Sequence, residues 1–465
     1  MNLFLKTKNA LIGDRNFYGK VFIIVFPIII QNTVTNVVSL LDNVMVGRVG
    51  TLEMSAVAIV NQLIFVFALC IFGGLSGAGI FSAQYAGAKD NDGLRYCMRM
   101  KMYIGILMFL LSLFIFTVFS DNLICAYLAE DTPPEDAAKT LHFAKTYLSI
   151  MLVGLLPFTV AQVYSNSLRE VGETRFPMIA SVIAIVINLV FNYFLIFGKF
   201  GFPKLGVAGA AIATVISRYA EALVIVIYSH LKTPRYQFIK GLYRSFKIPF
   251  ILCKKIIVSG LPLLVNEFLW SFGIAMMLQC YSVRSLSVVA AANISNTVQN
   301  LFNVAFISMG SAIAIMLGQV LGTGDKAKAR DMCNKLLFVS VFVSIITAAL
   351  MALLAKVIPE IYNTEPEVKK LAFEFLLVTA AIMPFNSYVH GCYFAIRSGG
   401  KTIITFLFDS FLMWSLNIPV AYILSNYTNL YITYVFLAVE SIYIIKSIIA
   451  AILIKKGSWI RNIIN

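Results

Sequence analysis

Twelve long apolar runs dominate the sequence. They lie at roughly 21–46, 54–84, 101–120, 141–166, 176–198, 206–229, 252–279, 287–318, 335–358, 371–396, 402–424 and 429–454. A helix needs about 20 apolar residues to cross a bilayer, and a membrane barrel strand only about ten. Hydrocarbon offers the backbone no water, so each run must close its own hydrogen bonds, and runs of this length do so as helices. The second and eighth runs exceed one crossing, so tilt, kinks or protrusion are expected there. The spacing therefore predicts an all-α polytopic membrane protein with twelve transmembrane helices.

Composition agrees. Of 465 residues, 60% are hydrophobic and 13% charged, against about 45–50% and about 25% in soluble domains. An ordinary soluble enzyme, a disordered chain and a small disulfide scaffold are excluded. The seven cysteines are scattered, with no CxxC or Cys/His cluster, so neither a zinc site nor a disulfide framework is expected. The first twenty residues lack a short apolar core and a small-residue cleavage site, so no cleaved signal peptide is expected.

Basic residues set the orientation. With a cytoplasmic N-terminus, 26 Lys and Arg fall in cytoplasmic segments and nine outside. Arg218 and Lys446 lie within spans. Such asymmetry follows the positive-inside rule and predicts that both termini are cytoplasmic. The acids Asp121, Glu130, Asp131, Glu135 and Asp136 crowd one outside loop. The formal net charge of +15 is explained by these short basic loops. Anionic membrane lipids are then the expected partner, and nucleic acid is not. Residues 231–255 carry seven bases and no acid. They divide the chain into an N-terminal lobe at 1–230, a cytoplasmic connector at 231–251 and a C-terminal lobe at 252–465.

The halves repeat each other at an offset of 235. Between 56–95 and 291–330 ten positions are identical, including Asn61 with Asn296, Gln84 with Gln319, Gly87 with Gly322 and Asp90 with Asp325. Pro27 and Pro262 pair at the same offset. Self-similarity of this kind marks duplicated architecture. Each repeat holds six spans, an even number, so both run the same way. A pseudo-twofold along the membrane normal should relate two six-helix lobes, as in transporters that alternate access. Duplication with no functional consequence is the plainer reading.

VSLLDNVMVGRVGTLEMSAVAIVNQL (38–63), GIFSAQYAGAKD (79–90), NSLREVGETRFPM (166–178) and GVAGAAIATVIS (206–217) carry a resemblance. The whole chain resembles bacterial multidrug and toxic compound extrusion (MATE) transporters, particularly their DinF-related branch. That resemblance implies export of organic, often cationic, compounds coupled to inward Na⁺ or H⁺ movement. It also implies the bacterial inner membrane. A monomer is expected, with no cofactor beyond the coupling ion.

Ionisable groups within spans are costly and become functional candidates. Asp42 lies about 31 Å along the first run at 1.5 Å per residue. Position alone allows a carboxylate that reaches the headgroups; the resemblance matches it to the family's cation- or proton-binding Asp. Asn188 and Asn192 stand one turn apart on one face of the fifth span, and Thr214 in the sixth could add a hydroxyl. Oxygens of this kind suit a hard cation, so Asp42, Asn188, Asn192 and Thr214 form a candidate Na⁺ site. Amide packing between helices is the alternative. The family pattern has Asp where Asn192 stands, which removes one negative charge here.

Glu267 lies about 22 Å into the seventh span and has no base beside it in sequence. It is a candidate proton carrier or a structural hydrogen-bonding group. Arg218 and Glu221, at i and i+3, are expected to pair as a structural or gating element, with substrate contact as the second reading. His390 is a candidate because His changes charge near neutrality; a packed core histidine is the alternative. Asp409, Glu440 and Lys446 are isolated in sequence and cannot be assigned partners. Abundant Phe, Tyr and Met would suit an aromatic-cation cavity or lipid-facing packing.

Competing functions have weaker support. GGKT at 399–402 resembles the end of a phosphate-binding loop, but Ala395 stands where that loop needs Gly. No HExxH or nucleophile–base motif occurs, so no catalytic residue is assigned and a membrane-embedded enzyme is not favoured. A flippase for lipid-linked saccharide or another lipid would require a cationic cavity, whereas the charges within spans are mainly acidic: Asp42, Glu221, Glu267, Asp409 and Glu440 against two bases.

Overall fold

The structure is a computed structural model that describes residues 11–128 and 133–464. Lys6 and Lys8, two of the 26 bases counted as cytoplasmic, and Glu130 and Asp131 of the outside loop lie outside them. Every predicted run is helical. The helices are α1 (Arg15–Gly47), α2 (Thr51–Ala88), α3 (Asn91–Val118), α4 (Pro134–Val153), α5 (Leu155–Glu170), α6 (Arg175–Phe197), α7 (Val207–Leu231), α8 (Phe250–Ser282), α9 (Leu286–Gly322), α10 (Lys326–Leu354) and α11 (Pro366–Ser398). The last two long segments are α12 (Thr402–Tyr427) and α13 (Ile432–Lys456).

Ten of these are long and apolar enough to cross a membrane, among the described residues. α4 and α5 make an eleventh if the pair, bent by 46°, is one crossing. The bend falls at Gly154, which joins them. α11 is the remaining long helix of 33 residues, interrupted by Pro384 and carrying charge near both ends. The expected excess length of the second and eighth runs is real: α2 has 38 residues and α9 has 37, over 50 Å each at about 1.5 Å per residue.

Two compact units result. One comprises the chain through Ile29, then Ala83–Lys89, then Val258 onward; it is called the C-unit below. Its core joins Val21, Ile24 and Ile28 of α1 to Met309, Ala312 and Leu317 of α9, Leu336 of α10 and Cys392 of α11. The other, the N-unit, comprises Ile30–Ser82 and Asp90–Ile257. Its buried residues include Tyr147, Tyr164, Ala180 and Ala211.

The repeat is visible in atomic detail. Asp90 caps α3, its carboxylate accepting from the backbone N–H of Asp92 and Gly93. Its equivalent, Asp325, caps α10 by accepting from Lys328 N–H. Within the C-unit, Gly87 lies on the backbone of Gln319, and Gly322 lies on the backbone of Gln84. A Cβ at either glycine would come within 2 Å of a carbonyl oxygen. The four residues are two repeat-equivalent pairs, so the contact is reciprocal. Only glycine permits that backbone approach.

α12 departs from regular α geometry. Residues Leu407–Phe411 and Met413–Asn417 form two π-turns. Such turns insert an extra residue and re-aim side chains, often where a helix has a task beyond packing.

Candidate functional site

The N-unit gathers the four predicted cation-site residues from three helices. Asn192 of α6 donates from Nδ2 to Asp42 Oδ1 of α1 at 2.6 Å, and also to Asn188 Oδ1 at 3.1 Å. Asn188 Nδ2 in turn donates to Thr214 Oγ1 of α7 at 3.2 Å. The Thr214 hydroxyl donates back to Ala210 O, 3.0 Å away. The i, i+4 spacing of the asparagines puts both amides on one face, and the small residues Ala210, Ala211 and Ala213 bring α7 close. Asn188 and Asn192 are buried, Asp42 and Thr214 half-buried.

The bonds diverge from Asn192: its Nδ2 donates one way to the Asp42 carboxylate and the other way to Asn188, which passes on to Thr214 and the Ala210 carbonyl. Asn192 Oδ1 is buried without a hydrogen-bond partner. An unpaired buried oxygen next to a carboxylate is an acceptor pair awaiting a proton donor or a cation.

A second N-unit network was not foreseen. Arg169 of α5 donates to Gln31 Oε1 of α1. Gln31 Nε2 donates to Ser181 Oγ of α6 at 2.6 Å, and Ser181 Oγ donates to Glu221 of α7. Four helices are tied in one relay. The expected Arg218–Glu221 pair is not a direct ion pair among the described residues, though the two charges still act on each other. Glu221 instead serves Ser181. The Arg218 guanidinium lies 5.1 Å from the centroid of Phe158, a cation–π contact, and its Nη1 is buried without a partner. Proximity on one helix face made an ion pair possible, but partners on neighbouring helices took both side chains.

The C-unit holds a different cluster. Asn266 of α8, which the sequence reading passed over, is 2% exposed. It donates from Nδ2 to Asp409 Oδ2 of α12 at 3.0 Å and to the Tyr393 hydroxyl of α11 at 3.4 Å. Its Oδ1 accepts from Ser410 Oγ at 2.7 Å and from Ser410 N at 3.3 Å. The π-turn that contains Asp409 and Ser410 presents both to the same amide. Glu267 stands beside this knot, and the charges acting on it are Arg397 and Asp409. Lys446 of α13, 3% exposed, is acted on by Asp409 and Glu440. The three isolated candidates therefore share one neighbourhood.

His390 is not part of it. Its ring meets Phe306 at 5.6 Å and Phe394 at 4.9 Å, both edge-on, and Nδ1 is buried without a partner. Gly310 lies against the ring, where a Cβ would come within 2.6 Å of it.

A sequence model of the MatE family matches residues 27–194 and 262–423, one match in each repeat. The chain belongs to the MatE family. Its members, the multidrug and toxic compound extrusion proteins, are transporters rather than enzymes. A Thermotoga maritima protein named "Probable multidrug resistance protein NorM" is 25% identical over 436 residues, covering 93% of this chain and 91% of its own. The Bacillus subtilis protein named "Probable multidrug resistance protein YoeA" is 25% identical, covering 87% and 86%. Among solved structures, a MOP superfamily transporter from Pyrococcus furiosus aligns with a TM-score of 0.85 at 18% identity over 97% of this chain and 98% of its own. An outward-facing multidrug resistance MATE family transporter aligns with a TM-score of 0.84 at 18% identity over 94% and 96%. These likenesses bear out the expected fold, a twelve-helix membrane transporter of two lobes.

Proposed function

We propose that this MatE protein is a secondary antiporter that exports small organic cations in exchange for Na⁺ or H⁺ by alternating access. The observation that carries the reading is the Asp42–Asn192–Asn188–Thr214 chain, with one carboxylate, one buried amide oxygen unpaired among the described residues and no base among them bonded to either. An inward-moving Na⁺ would find oxygen ligands of the type it prefers. A proton would neutralise Asp42 and turn it from acceptor into donor. In either case the ion and a cationic substrate compete for one negative charge, which is what exchange requires: each ligand must alter the other's binding free energy. The names of the NorM and YoeA relatives support a multidrug substrate range. The distribution of bases supports a membrane protein with both termini cytoplasmic, and an inner-membrane monomer is part of the proposal.

Purified protein in liposomes loaded with tetraphenylphosphonium tests this. An imposed Na⁺ or pH gradient should drive efflux, and Asp42→Asn should abolish the response. Efflux that ignores both gradients overturns the antiport reading.

A further inference from the structure

The N-unit carries a cavity of about 240 Å³ that the polar networks do not use. Tyr103 and Ile106 of α3, Val160 and Val163 of α5, and Tyr243 and Phe246 of the connector line it. The connector is fixed in place rather than loosely looped. Arg99 donates to three of its carbonyls: Nε to Leu242 at 2.9 Å, Nη1 to Lys247 at 3.1 Å and Nη2 to Gly241 at 3.0 Å. The Tyr103 hydroxyl donates to Phe246 O at 2.7 Å. Phe238, Ile239 and Leu242 are buried and anchor the segment from beneath.

Its outer face is both apolar and basic. Tyr243 is 51% exposed, Phe246 66%, Phe250 81% and Ile251 72%. Beside them Lys240, Arg244, Lys247 and Lys254 are exposed, and none forms an ion pair among the described residues. No acid occurs between 231 and 255 to neutralise them. Exposed aromatics mixed with unpaired bases are the composition of a segment lying at the headgroup level of a bilayer. Arg99, the base nearest the groove, is engaged by carbonyls. The charge available to a ligand is therefore that of the connector's rim.

We propose that this groove and rim form a binding site for an anionic glycerophospholipid, with one acyl chain in the groove and the phosphate on Lys240, Arg244 and Lys247. Charge complementarity selects the headgroup, because each base near an anionic surface contributes attraction that a zwitterionic lipid does not return. The apolar groove selects against free phosphate, which has no chain to place there. Because the connector's backbone is bonded to α3, an occupied site would splint α3, α5 and the connector together.

Native mass spectrometry of the full chain in detergent gives the test, with phosphatidylglycerol, phosphatidylcholine and inorganic phosphate as probes. Phosphatidylglycerol should bind about tenfold or more tightly than phosphatidylcholine, the scale expected for several surface bases. Inorganic phosphate should not bind. The exposed triple variant K240Q/R244Q/K247Q should lose the preference while still binding both lipids weakly. Val160→Trp, which fills the groove, should weaken both lipids alike. Equal binding of the two lipids by the unaltered protein would overturn the proposal, as would an undiminished preference in the triple variant. Binding of free phosphate would overturn the role of the groove.

Discussion

The polar chain of the N-unit and the charged cluster of the C-unit use the same residue types to different ends. In the N-unit, Asp42 is held by an amide, and Asn192 keeps a buried oxygen unpaired. In the C-unit, Asn266 is fully engaged, donating to Asp409 and Tyr393 and accepting twice from Ser410. Its carboxylates also have resident cations nearby: Arg397 acts on Glu267, and Lys446 on Asp409 and Glu440. A buried carboxylate needs a counter-charge or a proton. The C-unit cluster has that counter-charge among its own side chains, as Glu221 of the N-unit has in Arg169 and Arg218, whereas no base acts on Asp42 among the described residues. On the proposed antiport reading, exchange would belong to the N-unit and a mainly structural charge balance to the C-unit.

The largest expected effect is on coupling. Asp42→Asn removes the charge while keeping the shape, and gradient-driven efflux from liposomes should fall by at least about tenfold, the scale of one lost charge-assisted interaction. Glu267→Gln should leave most of the gradient response intact. Equal loss in the two variants would erase the distinction between the units.

Stability should show the opposite pattern. Lys446→Met removes a buried ammonium that acts on Asp409 and Glu440, and loss of one member of a buried charge cluster is destabilising. Thermal unfolding in detergent should drop clearly, and adding Glu440→Gln should restore part of it. Asp42→Asn should barely move the transition.

Asn266→Leu comes next. It strips the partner from Asp409 and from Ser410, so a loss of about 1–3 kcal/mol is expected for the groups left unpaired. Asn188→Leu should cost less stability, since only Thr214 and Asn192 lose a contact, but it should impair coupling. The paired measurement of unfolding and efflux separates the two asparagines.

The smallest effect concerns the connector. The Tyr236 hydroxyl donates to Glu173 Oε2 at 3.0 Å. Burial, foremost, and the neighbouring Tyr228 and Glu173 push its ionisation above the usual tyrosine range. A group whose ionisation is raised by folding contributes its stability below its unfolded value and loses it as pH rises through the folded one. Tyr236→Phe should therefore cost about 1 kcal/mol across neutral pH, the worth of one hydrogen bond. The difference between Tyr and Phe should shrink only at strongly alkaline pH, as unfolding curves would show.

Much of this was legible in the sequence. The apolar runs located every long helix, because a membrane span must be both continuous and apolar, although α3, α4 and α10 begin ten, seven and nine residues before their runs in polar first turns. The Asn188–Asn192 spacing gave a shared face, and the resemblance pointed to Asp42. The partners of Asp409 were not legible: Asn266 lies 143 residues away. Only tertiary packing, helped by π-turns that no local pattern announces, joins the two. Arg218 and Glu221 show the reverse case. Their spacing permits a pair, yet Phe158 and Ser181, on other helices, compete for both. The 46° bend at Gly154 was not legible either, since α4 and α5 read as one apolar run at 141–166.

One measurement bears most directly on the claim that the N-unit chain is where ion and substrate exchange. Purified protein in detergent, loaded with ²²Na⁺ or held in weak buffer with a pH indicator, is mixed with tetraphenylphosphonium. Release of Na⁺ or of protons should follow in the unaltered protein and in Asp409→Asn, and should vanish in Asp42→Asn. Undiminished release from Asp42→Asn, together with loss in Asp409→Asn, would contradict the account and move the exchange site to the C-unit.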